Sequence, residues 1–204
     1  MAKQPLFVGN TVLIVIDIQK SAFMKTRSGI PAMPGYSDNM TLARSVVDAA
    51  HNTNTPVIFF QEIHRRNKID YGRELDGSED IHCLEGEPGT PVAAEEMDMR
   101  DSDYFIHKRR YSCFFGTELE ILLKGLKAET LILVGGMTDV CVHYTFADGH
   151  QHDYYVRVVE DCVGGTSNDA HQASLTAMEY LQTGARRSAT EIIAGLSKHT
   201  TQAA

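Results

Sequence analysis

Five short apolar runs punctuate the chain: Val12–Ile16 (VLIVI), Pro56–Phe60 (PVIFF), Tyr104–Lys108 (YFIHK), Thr130–Gly135 (TLILVG) and Tyr155–Asp161 (YVRVVED). Near-continuous apolarity over about five residues suits a parallel strand covered on both faces. Stretches with apolar residues at helical spacing lie between them, among them MTLARSVVDAAHNT and GTELEILLKGL. In the second, Leu119, Leu122, Leu123 and Leu126 share one stripe, and Thr117 and Glu120 are spaced as a capping box. A further helix is predicted to begin near Ser167 or Asn168 and run through AHQASLTAMEYL. This alternation predicts one α/β domain over residues 1–204. It would be a three-layer α/β/α, Rossmann-like arrangement around a six-stranded, mostly parallel sheet with right-handed crossovers.

Residues 61–100 break the rhythm, being rich in Gly, Pro and charge. So long an insertion in a compact domain carries function or is disordered. Its place after a strand's carboxyl end favours function, because ligands of such sheets bind on that side.

Composition narrows the classes. A formal net charge of -8 argues against nucleic acid or an anionic membrane as the main partner. No apolar run approaches the roughly 20 residues of a membrane span, and the opening MAKQPLFVGN lacks the apolar core of a signal peptide. Four scattered cysteines without CxxC spacing suggest neither a zinc ribbon nor a disulfide scaffold, so a cytoplasmic protein with reduced thiols is expected.

Three polar residues fall at the carboxyl ends of predicted strands and hence on one rim: Asp17, Lys108 and Cys141. An acid, a base and a nucleophile so placed make a plausible hydrolytic constellation. A helix amino terminus at Cys141, with a lysine nearby, is expected to favour thiolate. Bringing the three together predicts that the Asp17 strand lies between the Pro56–Phe60 and Lys108 strands, with the Cys141 strand next. Cys83, Cys113 and Cys162 read as small core residues.

These segments carry a resemblance. VLIVIDIQKSAF, HKRRYSCFFGTELEILLK and GGMTDVCV are similar to three ordered motifs of the isochorismatase-like cysteine hydrolases, which include nicotinamidases, N-carbamoylsarcosine amidase, and biuret and ureidoacrylate hydrolases. The likeness covers most of the chain and is specific for the superfamily, not for a substrate. It implies Asp17, Lys108 and Cys141 as the catalytic triad, a cis peptide between Gly136 and Met137, and an oxyanion hole from the N–H groups of Met137 and Cys141. It further implies a thioester route for a small amide or ureide, and a homodimer or homotetramer. Gln19, Phe23, Glu62, His64, Tyr111 and Phe114 are the expected pocket residues. The isochorismatases proper generally lack the cysteine, so its presence favours C–N hydrolysis.

Nicotinamidases also carry a metal motif. The corresponding residues here are Glu62, His64 and His82, a donor set suited to zinc or iron. Glutamate in place of the aspartate of nicotinamidases argues against the metal, and no cofactor is the expectation. His150 and His152 read as loop residues on the opposite rim, and His171 as structural. Arg65, Arg66 and Arg73 either bind a substrate carboxylate or solvate the insertion. The alternatives to a cysteine amidohydrolase are a metal-dependent nicotinamidase and a non-catalytic binding member of the fold.

Overall fold

The computed structural model describes residues 5–24 and 29–199. Residues 1–4, which open the segment compared with a signal peptide, lie outside them. Six strands form one sheet: β1 (Asn10–Ile16), β2 (Val57–Glu62), β3 (Tyr104–Lys108), β4 (Ala128–Gly136), β5 (Tyr155–Gly164) and β6 (Arg186–Arg187). Their order is β3-β2-β1-β4-β5-β6, and every pairing is parallel. The five apolar runs are all strands. The sixth strand is only two residues long and carries no apolar run, so hydropathy does not announce it.

The side-chain alternation of β1 shows why both faces are covered. Leu13 and Val15 enter one apolar cluster with α1 (Tyr36–Asn52) and α5 (Ala189–Leu196). Val12, Ile14 and Ile16 enter the other, with α2 (Leu119–Gly125), α3 (His143–Gln151) and α4 (Asn168–Leu181). Ser167 caps α4 by accepting the Ala170 N–H. The expected capping box at Thr117 is absent. The Thr117 hydroxyl accepts the Leu119 N–H at 3.2 Å, while Glu120 pairs with Lys124 one turn on at 2.5 Å. A cation at i+4 has drawn the carboxylate away from the helix start.

The strand order corrects the sequence-based expectation. β1 lies between β2 and β4, and the Lys108 strand is an edge strand separated from β1 by β2. The expectation assumed that only neighbouring strands could share a site. Lys108 pairs in register with Glu62 of β2, and its side chain and that of Asp17 together bridge the end of β2, meeting at 2.8 Å. Segment 61–103 makes this detour. It is packed rather than open: Tyr71, Glu74, His82, Thr90, Ala93 and Met97 are all buried, and bridges join Gln19 to Val92 and His64 to Leu84.

Candidate active site

The carboxyl ends of β1, β2, β3 and β4 converge on one buried ammonium group. Lys108 Nζ lies 2.8 Å from Asp17 Oδ2, 2.5 Å from Glu62 Oε2 and 3.4 Å from Cys141 Sγ. It also donates to the Arg110 carbonyl at 2.9 Å. One ligand atom each of Asp17, Glu62 and Cys141 falls within 4.8 Å of the others. Asp17 reaches this point from a left-handed backbone conformation, φ +52°. An aspartate tolerates that conformation at a cost of roughly 1 kcal/mol. The next strand must pass closely: a Cβ on Gly135 would stand 2.0 Å from the Ile16 carbonyl oxygen, so only glycine fits there.

Cys141 stands in the first turn of a helical stretch, as the sequence suggested, but that turn is π rather than α. It lies within a π turn, Thr138–Val142, that precedes α3, and the Gly136–Met137 peptide before it is cis. Burial pushes its thiol well above the usual range, with Asp17 and Glu62 adding to the effect and Lys108 opposing it. Burial thus opposes the thiolate that a helix amino terminus and Lys108 would favour. Burial also lifts Asp17 to about 6, against the pull of Lys108. Burial alone would lower Lys108, yet Asp17, Cys141 and Glu62 together hold it well above its usual value. Glu62 resists burial through Lys108, His64 and His82, and stays well below the carboxylate range.

A cavity of about 350 Å³ opens over this cluster. Asp17, Gln19, Glu62, Tyr111, Met137 and Cys141 line it. Gln19 stitches the rim to the insertion, donating to the Glu62 carbonyl at 3.1 Å and to the Thr90 carbonyl. Three expected pocket residues fall elsewhere. Phe23 packs against the α1 core and Phe114 stacks on His152, because both rings found apolar partners away from the rim. His64 is buried behind the wall, stacked on Tyr71. Cys83 is the reverse case: it lines the cavity, with its thiol 3.7 Å from Gln19 Oε1, instead of joining a core. Cys113 and Cys162 are fully buried. His150 contacts Gln182, whereas His171 Nδ1 meets the Thr138 hydroxyl at 2.9 Å and steadies the nucleophile turn.

The metal donors Glu62, His64 and His82 do meet, and Glu74 joins them, all four buried with ligand atoms within 4.8 Å. Sequence gave no signal for Glu74, an isolated acid in the insertion. His82 Nε2 lies 3.0 Å from Glu62 Oε1, and His64 Nε2 lies 3.2 Å from Glu74 Oε2. Both Glu74 oxygens are buried, with His64 Nε2 on Oε2 and Arg110 Nη1 3.9 Å from Oε1. Two imidazoles and two carboxylates so grouped fit a divalent cation.

Residues 11–191 match the Isochorismatase domain family. The chain belongs to the isochorismatase family. It is 27% identical over 188 residues to the ureidoacrylate amidohydrolase RutB of Acinetobacter baylyi, covering 81% of this chain and 75% of that protein. A shorter match, 33% identical over 79 residues, covers 39% of this chain and 44% of the isochorismatase family protein YaaI of Bacillus subtilis. N-carbamoylsarcosine amidase from Thermoplasma acidophilum superposes with a TM-score of 0.73 at 27% identity, over 88% of this chain and 96% of that one. Among the described residues no helix is long and apolar enough to cross a membrane.

Proposed function

We propose that the protein is a cysteine-dependent amidohydrolase that cleaves the C–N bond of a small carboxamide or ureide through a thioester. One observation carries this reading: a single buried ammonium, Lys108, touches both the candidate acid Asp17 and the candidate nucleophile Cys141 beneath a cavity. The opposition of burial to a thiolate suggests the order of events. Asp17 takes the Cys141 proton as sulfur attacks the carbonyl, so no free thiolate accumulates. The oxyanion rests on the Met137 and Cys141 N–H groups. Asp17 then protonates the departing amine and activates the water that hydrolyses the thioester. Lys108 keeps the paired negative charges together throughout. Kinship with an amidohydrolase for ureidoacrylate and an amidase for N-carbamoylsarcosine supports C–N cleavage. The test is ammonia release from a panel of amides and ureides, with mass spectrometry of the enzyme. A mass increase on Cys141 during turnover is expected; turnover without any dependence on Cys141 would exclude the thioester route.

The buried Glu74 favours a second reading, a metal-dependent amidase. Glu62, His64, Glu74 and His82 would hold the cation, which would polarise a substrate carbonyl from the cavity wall that Glu62 and His82 share. The chain's own part is to keep both imidazoles oriented on their carboxylates. Elemental analysis after dialysis against zinc decides it, with Glu74→Gln lowering the retained metal.

A further inference from the structure

We propose that the cavity selects an amide or ureide whose non-reacting end carries a cation, and that Glu79 receives that cation. This inference rests on the amidohydrolase reading and names its substrate class.

The ionisable lining is lopsided. Asp17, Glu62, Glu79 and Glu87 are acidic, and among the described residues no lysine or arginine lines the cavity. The ammonium at its floor and the imidazole in its wall are already engaged. Lys108 pairs with Asp17 and Glu62 at 2.8 and 2.5 Å, and His82 pairs with Glu62 at 3.0 Å. The arginines of the insertion do not correct the balance. Arg73 has a side chain 93% exposed and pairs with Asp76 at 2.7 Å, while Arg65 and Arg66 are exposed and off the lining. Among the described residues a substrate carboxylate would find no unengaged counter-ion in the lining and would face four acids.

Glu79 is the acid with an unmet need. It is half-buried in the cavity wall, and its one polar contact among the described residues is the Tyr111 hydroxyl at 3.5 Å, a long hydrogen bond. Among the described residues no lysine, arginine or histidine pairs with it, whereas Asp17 and Glu62 both have Lys108. Burial raises its pKa, and Glu62 and Glu74 raise it further, with His82 opposing. A half-buried carboxylate without a partner is costly unless a ligand supplies one. Glu79 stands on the insertion while Cys141 stands on the sheet rim. A ligand with its carbonyl at the thiol and its cation at Glu79 therefore spans the cavity, whose 350 Å³ suits a small molecule.

Three four-carbon amides of one length test the charge: 4-aminobutanamide, butanamide and succinamate. Ammonia release is measured with the wild type and Glu79→Gln, and binding by calorimetry with Cys141→Ala. The wild type is expected to favour 4-aminobutanamide over butanamide by about tenfold or more in kcat/KM, the scale of a charge-assisted contact, with succinamate poorest. The same order is expected for binding to Cys141→Ala. Glu79→Gln should collapse the preference of cation over neutral amide to about threefold or less, chiefly through KM. Turnover that favours succinamate overturns the inference and leaves the amidohydrolase reading intact. Tighter binding of the cation without ammonia from any of the three keeps the Glu79 site and removes that reading. Failure to bind the cationic amide better than the neutral one, with or without turnover, overturns the inference.

Discussion

The two walls of the cavity are built from different material. One consists of the strand ends of β1, β3 and β4, where Lys108 is 1% exposed and Cys141 is 6% exposed, and where β1 and β4 are buried along nearly their whole length although edge strand β3 is partly exposed. The other is residues 79–90, a packed stretch without helix or strand, whose Glu79, Ile81 and Glu87 reach the cavity from partly or fully exposed positions. A sheet rim holds groups to a fraction of an ångström, because each is fixed by ladder hydrogen bonds and close packing on two faces. A loop wall tolerates exchange of side chains without loss of the core. Chemistry is therefore expected from the first wall and selection from the second, so substitutions in the first should cost kcat and those in the second should alter KM and preference.

The largest test of that division is Cys141→Ala, which should abolish turnover while preserving the fold. Cys113→Ala and Cys162→Ala, in opposite cores, should keep activity and lose about 1 kcal/mol of stability. Activity assays with thermal melting read both, and loss of turnover in either core variant alone would place the nucleophile wrongly. Lys108→Met comes next. It leaves Asp17 and Glu62 as buried carboxylates without their cation, a loss of about 3–5 kcal/mol when one partner of a buried pair is removed. A melting temperature within a few degrees of the wild type would show that Lys108 does not hold the rim together.

Asp17 supplies a pH signature. Its pKa is raised from 3.8 to about 6 by burial, and the base must be ionised in the free enzyme. Thus kcat/KM should fall tenfold per pH unit below about 6. The stability sign follows the same shift. A carboxyl with a raised folded pKa favours the fold most below pH 3.8, and that contribution is lost as pH rises through about 6. Asp17→Asn should flatten this loss in pH-dependent melting and remove nearly all turnover. An acidic limb centred near 4 would mean that burial does not govern Asp17.

The same division explains what could be read along the chain. Five strands were legible because burial on both faces forces continuous apolar runs, and Asp17, Lys108 and Cys141 stood out because each ends such a run or follows closely after one. Strand order was not: β3 sits outside β2 because of how segment 61–103 packs, and that packing depends on contacts such as Tyr71 against His64 and the Tyr71 hydroxyl bonded to the His82 carbonyl. Glu74 and Glu79 were invisible for the same reason. Nothing local distinguishes them from the solvated acids beside them, Asp76 and Asp80. The Glu62–Lys108 pair could have been found once β2 and β3 were known to be neighbours in parallel register.

The smallest expected effect lies at the base of the first wall. The π turn carrying Cys141 is tethered to its surroundings in two ways. Asp139 accepts from the Thr166 N–H at 2.8 Å and from its hydroxyl, and Thr138 meets His171 of α4 at 2.9 Å. Thr138→Val keeps the shape of the buried side chain but leaves His171 Nδ1 without that partner. Stranding a buried polar group costs about 1–3 kcal/mol, so the melting temperature should fall by several degrees. Catalysis should suffer less, a few-fold in kcat with KM unchanged, because the Asp139 tether still fixes the turn. Glu87→Gln on the loop wall should give the opposite pattern, a shift in KM without loss of stability. Steady-state kinetics and melting of the two variants side by side sharpen the contrast. If Thr138→Val changes KM and Glu87→Gln changes kcat, the assignment of chemistry to the rim and selection to the loop is reversed.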